Sequence, residues 1–171
     1  MLLVENTGRT VSSSLKVLER LVNDKPFFME NVLTLEDKSR NRVPFRLKPI
    51  QMDIISTMTG RDVYLKPRQV GSTTVLMADF LHDCLTKPGT NSVVVAHEEF
   101  VTTRLLGKVH WFVDNLPKGF PKPHHKSSYE ITWPEIHSSF YIGSARSYVF
   151  GRGDTVHNLL CSEYAFWPDT S

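Results

Sequence analysis

The stretch that decides the fold runs from residue 63 to residue 74 and reads Val63-Tyr64-Leu65-Lys66-Pro67-Arg68-Gln69-Val70-Gly71-Ser72-Thr73-Thr74. An apolar run leads into a short loop with two cations and a glycine, and hydroxyl residues then open a helical pattern. A strand, a loop of this kind and a helix are typical of a phosphate-binding loop. The sequence therefore predicts that the backbone between Leu65 and Thr74 holds the phosphates of a nucleotide.

This loop departs from the usual pattern, in which a glycine and four residues precede Gly-Lys-Ser/Thr. Gly71 and Thr73 hold the second glycine and the hydroxyl position, but Lys66 replaces the first glycine and Ser72 replaces the lysine. We expect the cation from Lys66 or Arg68, and the Mg²⁺-binding hydroxyl from Thr73, or from Thr74 in its place. The nucleotide-binding residues predicted in the loop are Lys66, Arg68, Gln69, Val70, Gly71, Ser72, Thr73 and Thr74.

A second apolar run ends at a carboxylate, in Leu159-Leu160-Cys161-Ser162-Glu163. A nucleotide-hydrolysing site needs a strand of this kind, because a carboxylate at its end can deprotonate the attacking water. We predict that role for Glu163. Ser162 stands where an aspartate usually helps to hold Mg²⁺, so the predicted metal-binding residues are Thr73 and Ser162. The alternative is a buried strand that meets an ordinary surface glutamate.

Two further residues suit a nucleotide site. Gln51, at a predicted helix start, could offer its amide to the donor and acceptor atoms of adenine. Arg152 lies between Gly151 and Gly153 and could act as an arginine finger in a neighbouring subunit's site. The alternatives are a surface glutamine on an amphipathic helix and a plain surface turn.

Composition limits how the chain could contact DNA, the state of its cysteines and its relation to membranes. The chain has 171 residues, 40% of them hydrophobic, and a net charge of +2, so any contact with DNA must come from a local patch. Cys84 and Cys161 lie in apolar segments and are expected to be reduced thiols. No stretch approaches the roughly 20 apolar residues that a membrane span needs, so no membrane association is expected.

Hydrophobic periodicity predicts an α/β fold. Helices are expected over residues 12–22, 49–58, 73–85 and 98–113, and strands over residues 62–65, 93–96 and 159–163. Residues 129–133 and 139–143 suggest a β-hairpin inserted before the last strand. The charged run 36–42 reads as a solvated turn. We expect a mainly parallel sheet flanked by helices.

Taken in order, these motifs resemble the N-terminal ATPase domain of viral large terminases, the DNA-packaging motors of tailed phages. The resemblance covers about residue 26 to the end and includes the lead-in Pro44-Phe45-Arg46-Leu47 with Gln51. It also includes the deviant loop with Arg68-Gln69 before Gly71, and the run from Gly143-Ser144 through Arg152-Gly153 to Ser162-Glu163-Tyr164-Ala165.

The resemblance implies a P-loop NTPase-like fold of the additional-strand catalytic-glutamate type, with a helical lead-in over residues 1–45 and a partial ATPase domain over residues 46–171. It implies ATP and Mg²⁺ as ligands, and ATP hydrolysis coupled to packaging of double-stranded DNA into a capsid. The implied partners are DNA, a portal protein, a small terminase subunit and further copies in a ring, in the host cytoplasm.

Two departures from the family pattern leave other functions open. Ser162 replaces an aspartate, and the chain stops eight residues after Glu163, so the C-terminal strands of the family's domain are expected to be missing. One alternative is a helicase-like translocase ATPase, which shares the glutamine, the loop and the acidic strand. Another is a catalytically inactive nucleotide-binding or assembly fragment from a degenerate prophage gene.

Overall fold

The computed structural model describes residues 5–67, 69–145 and 155–167. Side chains are described from residue 14 onward, except that of Glu99. The helices are α1 (Glu5–Asn23), α2 (Lys25–Val32), α3 (Pro49–Thr57), α4 (Ser72–Thr86) and α5 (Glu99–Asp114). The strands are β1 (Thr34–Glu36), β2 (Arg42–Pro44), β3 (Asn91–Ala96), β4 (His125–Lys126), β5 (Glu130–Trp133), β6 (Ser138–Ser144) and β7 (Asn158–Cys161).

The four helices predicted from periodicity are confirmed, and the sequence reasoning missed a fifth, α2. Pro26 lies in the first turn of α2, where a backbone N–H has no helical partner anyway. The Asp24 side chain caps this helix by accepting a hydrogen bond of 2.9 Å from the Phe27 N–H. The charged run 36–42 forms the turn of the β1–β2 hairpin, as expected.

The main sheet has five strands in the order β4-β5-β6-β3-β7. Strand β3 pairs in parallel with β6 and with β7, whereas β5 pairs antiparallel with both β4 and β6. The α/β class and the hairpin are therefore confirmed. The sheet is mixed rather than mainly parallel, because the hairpin joins the main sheet through β6. Across the described part of the chain, none of the helices combines the length and the apolar character needed to cross a membrane.

The predicted strand over residues 62–65 is wrong. These residues form no ladder, and the side chains of Val63 and Leu65 are fully exposed, at 100% and 103% of their reference areas. The Asp62 carboxylate accepts hydrogen bonds from the backbone N–H groups of Thr59 and Gly60, which fixes a turn before the segment. The chain that enters the loop therefore forms no strand, and β7 lies at the edge of the sheet in the described part of the chain.

Helix α4 lies at the centre of the core. All of its residues from Val75 to Leu85 are buried, and it packs against α2, α3, α5 and the sheet. The core cluster also includes side chains from α2 and from the residue after β2, namely Phe28, Met29, Val32 and Phe45. The N-terminal segment and the sheet thus share one hydrophobic core.

A buried charge cluster joins α2 to α4. The Lys25 ammonium lies 2.7 Å from Asp79 Oδ2 and 2.9 Å from Asp83 Oδ2, and both carboxylates are buried. Asp83 also contacts Lys87 Nζ at 2.8 Å and accepts a hydrogen bond from Asn158 Nδ2 at 3.3 Å. Each carboxylate therefore has a cationic partner, as buried charges require.

The Asp83 carboxyl predicts a loss of stability in acid. Burial by itself would raise the pKa of Asp83, but favourable contacts with His82, Lys87 and Lys25 outweigh it and hold the pKa well below the usual range. An unfolded aspartate takes up its proton near pH 3.9, so below about pH 4 the unfolded state binds more protons than the folded state. The stability that Asp83 contributes above about pH 4 is therefore lost as the pH falls.

Denaturant unfolding at about pH 6 and about pH 3 measures this effect. We expect Asp83→Asn to be less stable than the parent at the higher pH and to depend less on pH. The exposed Asp53→Asn variant is the matched control and should keep the parent's pH dependence. An Asp83→Asn variant that lost stability as steeply as the parent would contradict the assignment.

Candidate nucleotide-phosphate site

The direction of α4 sets the position of the candidate site. Near the C-terminal end of α4, Asp83 accepts a hydrogen bond from Asn158, the first residue of β7, at 3.3 Å. About one turn before Asp83, the Phe80 carbonyl accepts a hydrogen bond of 3.4 Å from Ser92 Oγ, near the start of β3. The last turns of α4 therefore lie beside the amino-terminal ends of these strands. The first turn, which follows the loop, consequently points toward their carboxyl ends.

Glu163 lies at that carboxyl edge of the sheet, two residues after the end of β7. The Ser162 N–H donates to the Val95 carbonyl at 2.7 Å, which fixes the chain there. Glu163 Oε2 lies 3.2 Å from Nδ1 of His97, the residue after β3. This separation allows a charge contact, although the geometry is not that of a hydrogen bond. Glu163 has a φ of 56°, in the left-handed region, which non-glycine residues seldom adopt and which recurs at functional sites.

The loop backbone is held by Gln51. This side chain is 6% exposed, and its Nε2 donates to the carbonyls of Val70 and Gly71 at 3.2 Å and 3.3 Å. Its Oε1 accepts from the Lys48 N–H at 3.0 Å. Both ends of the amide are therefore occupied by the protein, and Gln51 orders the loop. The predicted contact with adenine stays a prediction, and it would require these bonds to be exchanged.

Gly71 is required by both backbone conformation and space. Its φ is 77°, and a Cβ at this position would lie 2.6 Å from Gln51 Nε2, closer than real Cβ contacts. We expect Gly71→Ala to cost about 1–2 kcal/mol for the left-handed conformation alone, and more because the Gln51 amide must move. Gly89 is a matched control, since its φ is 80° and a Cβ there would meet nothing within 4 Å.

Denaturant unfolding of the two alanine variants separates these costs. Gly89→Ala should show the conformational cost only, whereas Gly71→Ala should lose more stability and also weaken nucleotide binding. If the two variants were equally stable and nucleotide binding were unchanged, the hydrogen bonds from Gln51 would not be what orders the loop.

The hydroxyl residues at the head of α4 differ in their surroundings. Ser72 is 2% exposed, and its Oγ has no hydrogen-bond partner among the described residues. Thr73 is half-buried in the same turn. Thr74 Oγ1 accepts a hydrogen bond from the ammonium of Lys108, on α5, at 3.0 Å. The first turn of α4 therefore carries one buried hydroxyl that has no partner in the described part of the chain and one that contacts a lysine.

The structure describes one of the three cations predicted for this site, Lys66. Lys66 is exposed, on the unpaired segment before the loop, and Gln69 is exposed with a φ of 64°. Arg68 and Arg152 lie outside the described residues. Among the residues that are described, no group of three or more His, Cys, Asp or Glu could hold a metal ion. Mg²⁺ in nucleotide sites is held largely by phosphates and water, so the Thr73 and Ser162 assignments stay predictions.

A cavity of about 440 Å³ opens beside the head of α4. It is bounded by the loop and α4 through Gly71 and Thr74, by Gln51, and by α5 through Arg104 and Lys108. The remaining wall consists of Leu35, Glu36, Phe45, Arg46, Lys48, Gly107, Trp111 and Phe112. Of the described residues, neither Glu163 nor His97 belongs to this lining. The volume is within the range of pockets that hold small ligands, about 300–1,000 Å³.

Sequence reasoning missed Lys108 and Arg104. The spacing of these residues along α5 places both on one face, because side chains four apart on a helix are neighbours. That face could have been noticed as a cationic stripe, but its position opposite Thr74 depends on the packing of α5 against α4. No model of a known protein family matches this chain, and no curated protein matches it at a significant level.

Proposed function

We propose that this chain is the ATP-hydrolysing part of a viral large terminase, which couples ATP hydrolysis to the packaging of double-stranded DNA into a capsid. One observation carries the ATPase part of the proposal. Glu163 follows β7 at the sheet edge toward which the first turn of α4 points, and the chain enters that turn through Gly71. A phosphate-binding helix terminus and a carboxylate at one edge of a sheet are the elements that nucleotide hydrolysis requires.

The chain's own residues suit this chemistry. The first N–H groups of α4 lack helical partners and carry the positive end of the helix dipole, which favours phosphate. Glu163 is 45% exposed, so water can reach its carboxylate. It would take the proton as the water oxygen attacks the terminal phosphorus and ADP leaves. Mg²⁺, when bound, would neutralise phosphate charge, with Thr73 and Ser162 as the proposed protein ligands.

The terminase part of the proposal rests on the order of the sequence motifs. It implies double-stranded DNA, a portal protein, a small terminase subunit and a ring of copies as partners, in the cytoplasm of an infected host. Arg152 would act across the interface between two copies. These assignments follow from the resemblance, and the mixed five-stranded sheet flanked by helices is compatible with them.

Steady-state ATP hydrolysis by the purified chain tests the proposal, with and without duplex or single-stranded DNA. We expect Mg²⁺-dependent turnover that linear duplex DNA stimulates more than single strands do. Greater stimulation by single strands would favour the helicase-like translocase. Absence of both turnover and Mg-ATP binding would refute the nucleotide site.

A catalytically inactive nucleotide-binding module is the second candidate. Ser162 replaces the usual metal-binding aspartate, and Lys66 is exposed and away from any ladder. The absence of a metal-binding carboxylate and of a lysine held in the loop would both slow hydrolysis. Mg-ATP binding without turnover, for the parent and for the Glu163→Gln variant alike, would favour this candidate.

A further inference from the structure

Helix α5 supplies cationic side chains to the pocket beside the loop. Lys108 Nζ donates to Thr74 Oγ1 at 3.0 Å, which places its ammonium at the first turn of α4. Arg104 lies one turn earlier on α5 and lines the same cavity. Gly107 lies between them in the lining, and a Cβ there would meet nothing within 4 Å, so it leaves the cavity open.

The charges around this cavity are unbalanced. Among the described residues, its lining contains the four cations Arg46, Lys48, Arg104 and Lys108 and a single carboxylate, that of Glu36. In the part of the chain that the structure describes, none of these four cations forms an ion pair with a carboxylate. The Arg104 guanidinium lies 5.5 Å from the centre of the Phe100 ring, a contact that leaves its charge uncompensated. An excess of unpaired cations in a concave site favours a polyanion.

The surroundings of Lys108 also favour an anionic ligand. Although Lys108 as a whole is exposed, burial near its ammonium and then the charge of Arg104 lower its pKa from the ordinary value. Both effects disfavour the charged form in the free protein, and the negative charge of a phosphate group beside the ammonium would offset them. Lys66, by contrast, is exposed and is not among the described residues that line the pocket.

We infer that Lys108, assisted by Arg104, is the cation that binds the phosphates of the nucleotide, so that the lysine missing from position 72 of the loop is replaced by one from α5. This inference rests on the proposed nucleotide site and identifies its phosphate-binding side chains. The ligand class is a nucleoside triphosphate or another compound with a chain of phosphates. On binding, Lys108 exchanges its hydrogen bond to Thr74 for a charge-assisted bond to a phosphate oxygen.

Calorimetric titration with Mg-ATP, and separately with inorganic tripolyphosphate, tests this inference. Lys108→Met should weaken both ligands by about ten- to a hundredfold, the expected effect of one hydrogen bond to a charged group. Lys108→Arg should retain part of the affinity, because it keeps the charge. Lys118→Met, an exposed lysine beyond α5, is the neutral control. Lys66→Met tests the alternative that Lys66 binds the phosphates, and it should lose less affinity than Lys108→Met.

The possible results distinguish the inference from the function on which it rests. Lys108-dependent binding of tripolyphosphate and Mg-ATP without hydrolysis would support the inference and refute the ATPase function. Hydrolysis and binding that survive Lys108→Met but are lost in Lys66→Met would overturn the inference and leave the ATPase function intact. Failure of the parent to bind either ligand would overturn both. Thermal unfolding confirms that each variant is folded, which we expect because Lys108 is exposed.

Discussion

Glu163→Gln is expected to lower the rate of ATP hydrolysis by about 10²- to 10⁴-fold, the contribution typical of a positioned general base. Glutamine keeps the size and most of the polarity of the side chain but cannot accept the proton of the attacking water. The affinity for Mg-ATP should change little, since phosphate binding is assigned to the first turn of α4 and to Lys108. Single-turnover hydrolysis and calorimetric binding together measure the two effects.

The matched control for this variant is Glu135→Gln. Glu135 is an exposed glutamate in the turn that joins β5 to β6, at the amino-terminal end of β6, and therefore at the opposite edge of the sheet. We expect this variant to hydrolyse ATP at the parent's rate. If Glu163→Gln also kept the parent's rate while the parent hydrolysed ATP, Glu163 would not be the base.

Lys25→Met is expected to cause the largest loss of stability. It removes the cation shared by the buried carboxylates of Asp79 and Asp83, at 2.7 Å and 2.9 Å. Removing one partner of a fully buried pair costs about 3–5 kcal/mol, and because a quarter of the Lys25 side chain is exposed we expect about 2–4 kcal/mol. Denaturant unfolding gives the change in the free energy of unfolding.

Lys87→Met is the control for the loss of an exposed partner. Lys87 also contacts Asp83, at 2.8 Å, but 63% of its side chain is exposed, so its removal should cost about 0–1 kcal/mol. The double variant Lys25→Met/Asp79→Leu removes the uncompensated charge as well and should recover more than half of the loss. If the double variant were less stable than Lys25→Met, the loss would come from packing rather than charge.

The sequence predicts most of the elements, because their signals are local. The apolar faces of α4 and α5, the short β-branched run of β3 and the hairpin of β5 and β6 were all recognised from periodicity. The strand predicted over residues 62–65 does not form, and the reason is non-local. Its apolar run suits a strand, but a strand also needs a neighbour to bond, and the described sheet ends at β7.

In the candidate site, too, local sequence signals predict some residues, whereas contacts between distant parts of the chain determine others. Gly71, Ser72 and Glu163 were found from motifs whose order along the chain carries the information. Lys108 could not be found in that way, because its contact with Thr74 joins residues 34 positions apart through the packing of two helices. The sequence predicts a contact of Gln51 with adenine, whereas the bonds of Gln51 to the loop carbonyls depend on how α3 packs against α4.

The central claim is that a nucleotide's phosphates bind at the carboxyl edge of this sheet, against the first turn of α4. Amide hydrogen exchange of the chain with and without Mg-ATP tests it most directly, because it locates the ligand along the backbone. We predict slower exchange in residues 69–75, and smaller effects in residues 96–98 and 161–164. Unchanged exchange in residues 69–75, with Mg-ATP at saturating concentration, would contradict it.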